Sequence, residues 1–188
     1  MNSRWKKLVS LFLALSIVCS LVVVPAAAAD TDLTVSFENG KWSGQTYTVD
    51  VAAHGSGSFK AAVAAITVGF EKNILTFVSS TDKTGFGVVV EPDVTAANRD
   101  GSFNLGPTDL NGKDFNGTMP IATLVFQVKD PAAESQKTEL TFSSTEIGRP
   151  DASKFTIASS QPIVVSVPGA APVLDSVTLP SGGDSVEI

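Results

Sequence analysis

Cysteine, histidine and polar aromatic rings are nearly missing from this sequence. Its 188 residues include one Cys, one His, one Tyr and two Trp. The lone Cys19 sits inside an N-terminal apolar run, so the rest of the chain can form neither a disulfide nor a thiolate metal site. An oxidising compartment would permit bridges, but here stability must come from a buried core. The single histidine, His54, precedes Gly55, Ser56 and Gly57 and reads as an exposed turn residue, which leaves a hydrolytic triad without a placed base. Acids are more plentiful, yet they fall at turns and on polar strand faces rather than in apolar pockets, against a glycosidase carboxylate pair. Catalysis is therefore not expected. A sugar-stacking platform needs several exposed rings. Trp42, beside Gly40 and Gly44, is placed for that, whereas Tyr47 shares the inward phase of Val49 and Val51.

Positive charge is scarce too, with 13 Lys and Arg against 19 Asp and Glu and a formal charge of -6. Arg4, Lys6 and Lys7 precede an apolar run over 8–24, then Pro25 and Ala26-Ala27-Ala28-Ala29. That order is the pattern of a secretory signal peptide, with cleavage expected after Ala29. Val18, just before Cys19, does not suit lipid attachment. Loss of residues 1–29 removes three cations and no acid, taking the charge from -6 to -9. An acidic surface repels nucleic acid and anionic lipid, and no second apolar run of spanning length follows residue 29, so no membrane insertion is expected after cleavage. Leu179-Pro180-Ser181-Gly182-Gly183 lacks the threonine and apolar tail of a wall-sorting signal. Asp109, Asn111 and Asp114 offer hard oxygens for calcium. Gly112 nevertheless falls fourth rather than sixth in that run, and no bidentate glutamate closes it, so no metal site is assigned. Asn116-Gly117-Thr118 is read as a tight turn rather than a glycosylation site.

What the chain does have is period-two alternation. Tyr47, Val49 and Val51, then Ile66, Val68 and Phe70, then Leu124, Phe126 and Val128, then Leu140 and Phe142 each alternate with small or polar residues. Asn39-Gly40, Asp100-Gly101, Asn111-Gly112 and Asn116-Gly117 punctuate them with residues that tolerate positive φ. Strands are expected at 33–38, 46–53, 62–70, 74–79, 86–91, 102–106, 120–129, 137–143 and 161–167, with a helical turn near 71–74. The fold class is all-β: a nine-stranded antiparallel β-sandwich with jelly-roll or Ig-like topology. It occupies 30–167. A stiff Pro/Ala linker follows at 168–172, and 173–188 reads as a disordered tail or the opening of a further module.

Two segments carry a family resemblance: Gly69-Phe70-Glu71-Lys72-Asn73-Ile74-Leu75-Thr76-Phe77, and the run from Gly117-Thr118-Met119-Pro120 into Ile121-Ala122-Thr123-Leu124-Val125-Phe126-Gln127-Val128-Lys129. With Gly44-Gln45-Thr46-Tyr47-Thr48-Val49 before them, they resemble the cohesin family over about 33–167. Where that family carries aromatic-Asp-Pro, this chain has Phe70-Glu71-Lys72. The resemblance implies a non-catalytic scaffold module that docks dockerin-bearing proteins outside the cell, as in cellulosome-type assemblies, or at the cell surface through other modules. It implies a monomer, with calcium on the dockerin partner rather than on this chain. It also implies that dockerin helices lie across a face built by the third, fifth, sixth and eighth strands, here 62–70, 86–91, 102–106 and 120–129. The outward residues of that face are Ala65, Thr67, Val89, Glu91, Asn104, Thr123, Val125 and Gln127. A structural Ig-like spacer or adhesin module, and thirdly a carbohydrate-binding module, are the alternative readings.

Overall fold

In the computed structural model, residues 32–129 and 136–169 are described. The expected signal peptide, the 173–188 tail and most of the linker lie outside them. Eight strands and one short helix follow in the order β1 (Leu33–Ser43), β2 (Thr46–Phe70), β3 (Leu75–Asp82), α1 (Val94–Asp100), β4 (Ser102–Leu105), β5 (Thr108–Val128), β6 (Gln136–Gly148), β7 (Ile157–Ser160) and β8 (Ile163–Val167).

The organising element is β2, which runs 25 residues and serves both layers. Its first half pairs with β1 on one side and with the second half of β5 on the other. β3 extends that layer beyond β5, and β7 extends it beyond β1. The second half of β2 pairs instead with β4 and β6, and β8 adds to β6. Irregular register between His54 and Ser58 and between Ala61 and Val63 marks where β2 passes from one layer to the other. Such bulges bend a strand without breaking it.

The two layers close on an apolar interior because the alternation holds in both. Val49, Val51, Leu124 and Phe126 face inward from one sheet; Ile66, Val68, Leu105 and Leu140 face inward from the other. Ring pairs cross between them. Phe77 stacks on Phe103 with centroids 4.0 Å apart, Phe37 on Phe142 at 4.0 Å, and Phe70 meets Phe126 at 5.4 Å. Offset and tilted ring contacts of this kind add to the area term of burial.

Several sequence expectations need correction. Strand 86–91 does not form; Val88 makes a single bridge to Thr108. With that strand gone, 46–53 and 62–70 joined in one strand and the unexpected β7 at Ile157–Ser160 added, the described residues hold eight strands rather than nine. Pairing is antiparallel except between β1 and β7, which run parallel. The segment 54–57, expected as a turn, lies within β2, and His54 is half-buried there, hydrogen-bonded to Glu38 and, at 3.2 Å, to the Thr118 hydroxyl. β5 starts at Thr108, so Asp109, Asn111 and Asp114 lie along it. The Asp109 carboxylate accepts from the Asn111 backbone N–H at 3.0 Å.

Helix α1 had no counterpart in the strand reading, although its boundaries are chemically marked. Asp93 caps its start, accepting from the N–H groups of Thr95 (2.8 Å) and Ala96 (3.0 Å). Gly101 at φ 75 ends it, its N–H bonding the Ala97 carbonyl. Asn98 then fixes α1 to the outer edge of β3, accepting from Phe77 N–H at 2.7 Å and donating to its C=O at 2.9 Å.

Candidate functional site

The two sheets present two outer walls, and the eight residues expected on one face divide between them. Ala65, Thr67 and Asn104 stand together on the wall of β4, β2 and β6. Thr67 pairs with Asn104 in register, and its hydroxyl donates to the Asn104 side-chain oxygen at 2.7 Å. Thr123, Val125 and Gln127 stand on the opposite wall, where their partners are Asp50, Thr48 and Thr46 of β2 and residues of β3. Val89 and Glu91 belong to neither wall; they lie in the irregular segment before α1. The expectation failed at two steps: the strand at 86–91 does not form, and the eighth strand was misplaced. It was assigned to 120–129, whereas the strand beside 62–70 is β6.

The β4–β2–β6 wall has a distinctive centre. Its outward positions are Ala65, Thr67 and Gly69 on β2, Ser102 and Asn104 on β4, and Thr141 and Ser144 on β6, brought together by the registers of the two ladders. None of these side chains ionises and none is large. Gly69 is part of the design of the surface: a Cβ there would meet the Thr141 hydroxyl oxygen at 2.7 Å, so glycine lets Thr141 lie close over the neighbouring strand. Charge begins beside Ala65, whose partner in register on β6 is Glu146, ion-paired with Lys154 at 2.7 Å; Lys137 and Glu139 lie toward the other end of β6. The centre from Thr67 to Gly69, with Ser102, Asn104, Thr141 and Ser144, is thus free of ionised side chains, as the cores of protein interfaces tend to be.

The other wall is more polar and already internally bonded. Asp50 accepts from the Thr123 hydroxyl at 2.6 Å and from the Asn39 amide at 2.9 Å. The Thr123 bond holds the Asp50 carboxyl below the ordinary aspartate range; burial pushes the other way, and Asn39, Lys83 and Lys41 add to the lowering. Lys41 and Glu38 flank it on β1. Tyr47 is buried, as its phase indicated, and burial raises its phenol pKa. Trp42 is half-buried against Tyr47, with ring centroids 4.9 Å apart, rather than standing free as a stacking platform.

The wall of β4, β2 and β6 was only partly visible in the sequence. Thr141, Ser144 and Ser102 escaped notice because nothing in their spacing says that β6, not β5, is the neighbour of 62–70. Nothing in the sequence marks it: β5 reaches back to Thr108 through Asn111-Gly112 and Asn116-Gly117, which look like turns, and so pairs with the first half of β2 and leaves the second half to other strands.

No protein-family model matches the chain, and no curated protein matches it in sequence. Solved structures do. A type I cohesin–dockerin complex from Clostridium thermocellum aligns with TM-score 0.59 and 14% identity, over 77% of this chain and 99% of the other. The sixth cohesin of scaffoldin B from Acetivibrio cellulolyticus, solved with a Cel5 dockerin, gives 0.57 and 20% identity, over 74% of this chain and all of that one (100%). A non-cellulosomal cohesin from the archaeon Archaeoglobus fulgidus gives 0.54 and 16%, over 72% and 90%. Identity at these levels speaks to architecture, and the architecture is plain: the described chain is a cohesin-like β-sandwich.

Proposed function

We propose that this protein is a non-catalytic docking module, exported from the cell, whose β4–β2–β6 wall receives a dockerin-type protein module. The observation that carries the reading is the small-residue, non-ionising centre around Thr67 and Gly69 of that wall, on a cohesin-like sandwich. Helices approach a sheet closely only where side chains are short, and burial of a patch without ionised groups avoids their desolvation penalty. Two of the three cohesins named above were solved with dockerins, which supports the partner class. Export rests on the N-terminal charge, apolar and alanine pattern. Among the described residues no helix is long and apolar enough to cross a membrane. Calcium belongs to the partner in this reading.

The test is calorimetric titration of the mature chain with dockerin modules encoded in the same genome, in calcium and again in chelator. A docking module gives saturable, calcium-dependent heat with at least one of them. A spacer module gives none with any, and that result would end the proposal.

A further inference from the structure

The free edge of β4 is a second, chemically different site. Phe70 N–H donates to Gly101 C=O at 2.9 Å, and Ala64 N–H to Pro107 C=O at 3.1 Å. Antiparallel ladders alternate bonded and non-bonded pairs. Val68 with Phe103 and Ile66 with Leu105 fall in the same bonded phase, so Phe103 and Leu105 turn their backbone groups toward β2. Ser102, Asn104 and Gly106 therefore turn theirs away, toward the opposite edge. Thr108 shares that outward phase, and there the edge is occupied: Val88 and Thr108 exchange backbone bonds of 3.0 and 2.8 Å.

Beyond Val88 the neighbouring segment leaves the sheet. Glu91 is drawn toward β3, accepting from the Ser80 hydroxyl at 3.1 Å, and Asp93 is committed to capping α1. Pro92, which a continued register would set opposite Asn104, has no N–H to give. Among the described residues, the N–H groups of Ser102, Asn104 and Gly106 have no backbone partner on this side. Gly106 C=O has a 3.5 Å contact from the Thr108 hydroxyl. A groove of about 560 Å³ opens between the two chain segments. Contrast β3, whose outer edge Asn98 covers. Open edges of this kind pair readily with another chain.

The groove's walls say what the added strand should carry. Val90 lines it at 67% exposure, with Val88 at 60% beside it, so one side is apolar. Glu91, Asp93 and Asp100 also line it, with no Lys or Arg among the lining residues; Arg99, just outside, pairs with Asp100 at 2.8 Å. We propose that this slot takes an extended, cation-bearing segment of a partner protein, added as a further strand on the free edge of β4. Ser102 to Gly106 spans about 13 Å at the usual strand rise, room for roughly five residues. Main-chain bonds would supply affinity, and alternate side chains would meet the valines and the carboxylates. This inference does not depend on helices covering the wall.

The test uses the capped hexapeptide Lys-Val-Thr-Val-Lys-Val with the mature chain labelled in its backbone nitrogens. Expected are shift changes and exchange slowed by about tenfold or more at the amides of Ser102, Asn104 and Gly106, with those of Thr46, Thr48 and Thr123 unmoved. Glutamate in place of both lysines should weaken binding by about tenfold or more, and N-methylation at alternate peptide nitrogens should remove it. Three results would overturn the proposal. One is no response at those three amides; another is equal binding by the N-methylated peptide. The third is concentration-dependent protection without peptide, which would give the edge to a second copy of this chain.

Discussion

Replacing Phe126 by alanine removes a fully buried ring from the junction of the two sheets, and the size of the loss reports on strand phase. Phe126 lies 5.4 Å from Phe70, 5.7 Å from Phe77 and 6.3 Å from Phe103, measured between ring centroids. Those three rings belong to three strands from both layers, so the void cannot close by moving one neighbour. Truncations of this kind cost about 3 to 5 kcal/mol, the upper part applying where surroundings are rigid. Domains of this class have about 5 to 15 kcal/mol in total, and a melting point falls by about 4 °C per kcal/mol near this size, so a drop of roughly 12 to 20 °C is expected. Urea unfolding followed by fluorescence and circular dichroism measures it, with the slope m unchanged if the native state stays compact. Gln127→Ala, one residue along and facing solvent, should stay within about 0.5 kcal/mol of the parent. A loss under about 1 kcal/mol for Phe126→Ala would refute the reasoning, because it would mean that β5 presents its other face to the core. Thr123, Val125 and Gln127 would then point inward, and the assignment of both walls would fall with them.

Further expectations are smaller. Thr138 is buried with no hydrogen-bond partner for its hydroxyl, so Thr138→Val, which keeps the branched shape, should raise stability by about 1 kcal/mol in the same urea assay; a loss would show that a bonded water fills the site. Asp50, held below the ordinary aspartate range chiefly by Thr123, favours the folded state above the unfolded aspartate pKa. That contribution is lost as pH falls through the folded value. Thr123→Val should therefore move the Asp50 carboxyl upward in a carbon-detected titration and reduce the neutral-to-acid difference in stability; an unmoved titration would contradict the cause given. Gly40→Ala should destabilise, since the added Cβ would overlap the Tyr47 hydroxyl unless the ring moves; unchanged thermal unfolding would show that Tyr47 shifts without cost.

The sequence carried the strand content well and the sheet neighbours poorly, for a physical reason. Alternation reports which face of a strand is buried, and Val49, Ile66, Phe126 and Leu140 were all read inward and lie inward. It does not report which strand lies alongside. The single strand β2 crosses between layers at His54–Ser58, and glycine there looks like a turn whether the chain reverses or merely bends. Consecutive Val88, Val89 and Val90 have strand propensity, yet Pro92 and the Asp93 cap draw the segment off the sheet, a local preference overridden by its neighbours. Ala65, Thr67 and Asn104 were legible as a group because β2 and β4 pair directly. Thr141 and Ser144 were not, since their place depends on a partner 70 or more residues away in sequence, a contact that only the folded ladder defines.

The most direct check on the docking account is a paired substitution, Thr67→Arg on the β4–β2–β6 wall and Val125→Asp on the opposite one, each titrated with the same dockerin module after thermal unfolding confirms an intact fold. The account predicts that Thr67→Arg weakens binding by about a hundredfold or more, roughly 2.7 kcal/mol, while Val125→Asp leaves it unchanged. Loss of binding in Val125→Asp, with Thr67→Arg still bound at parental affinity, would place the partner on the wrong wall and contradict it.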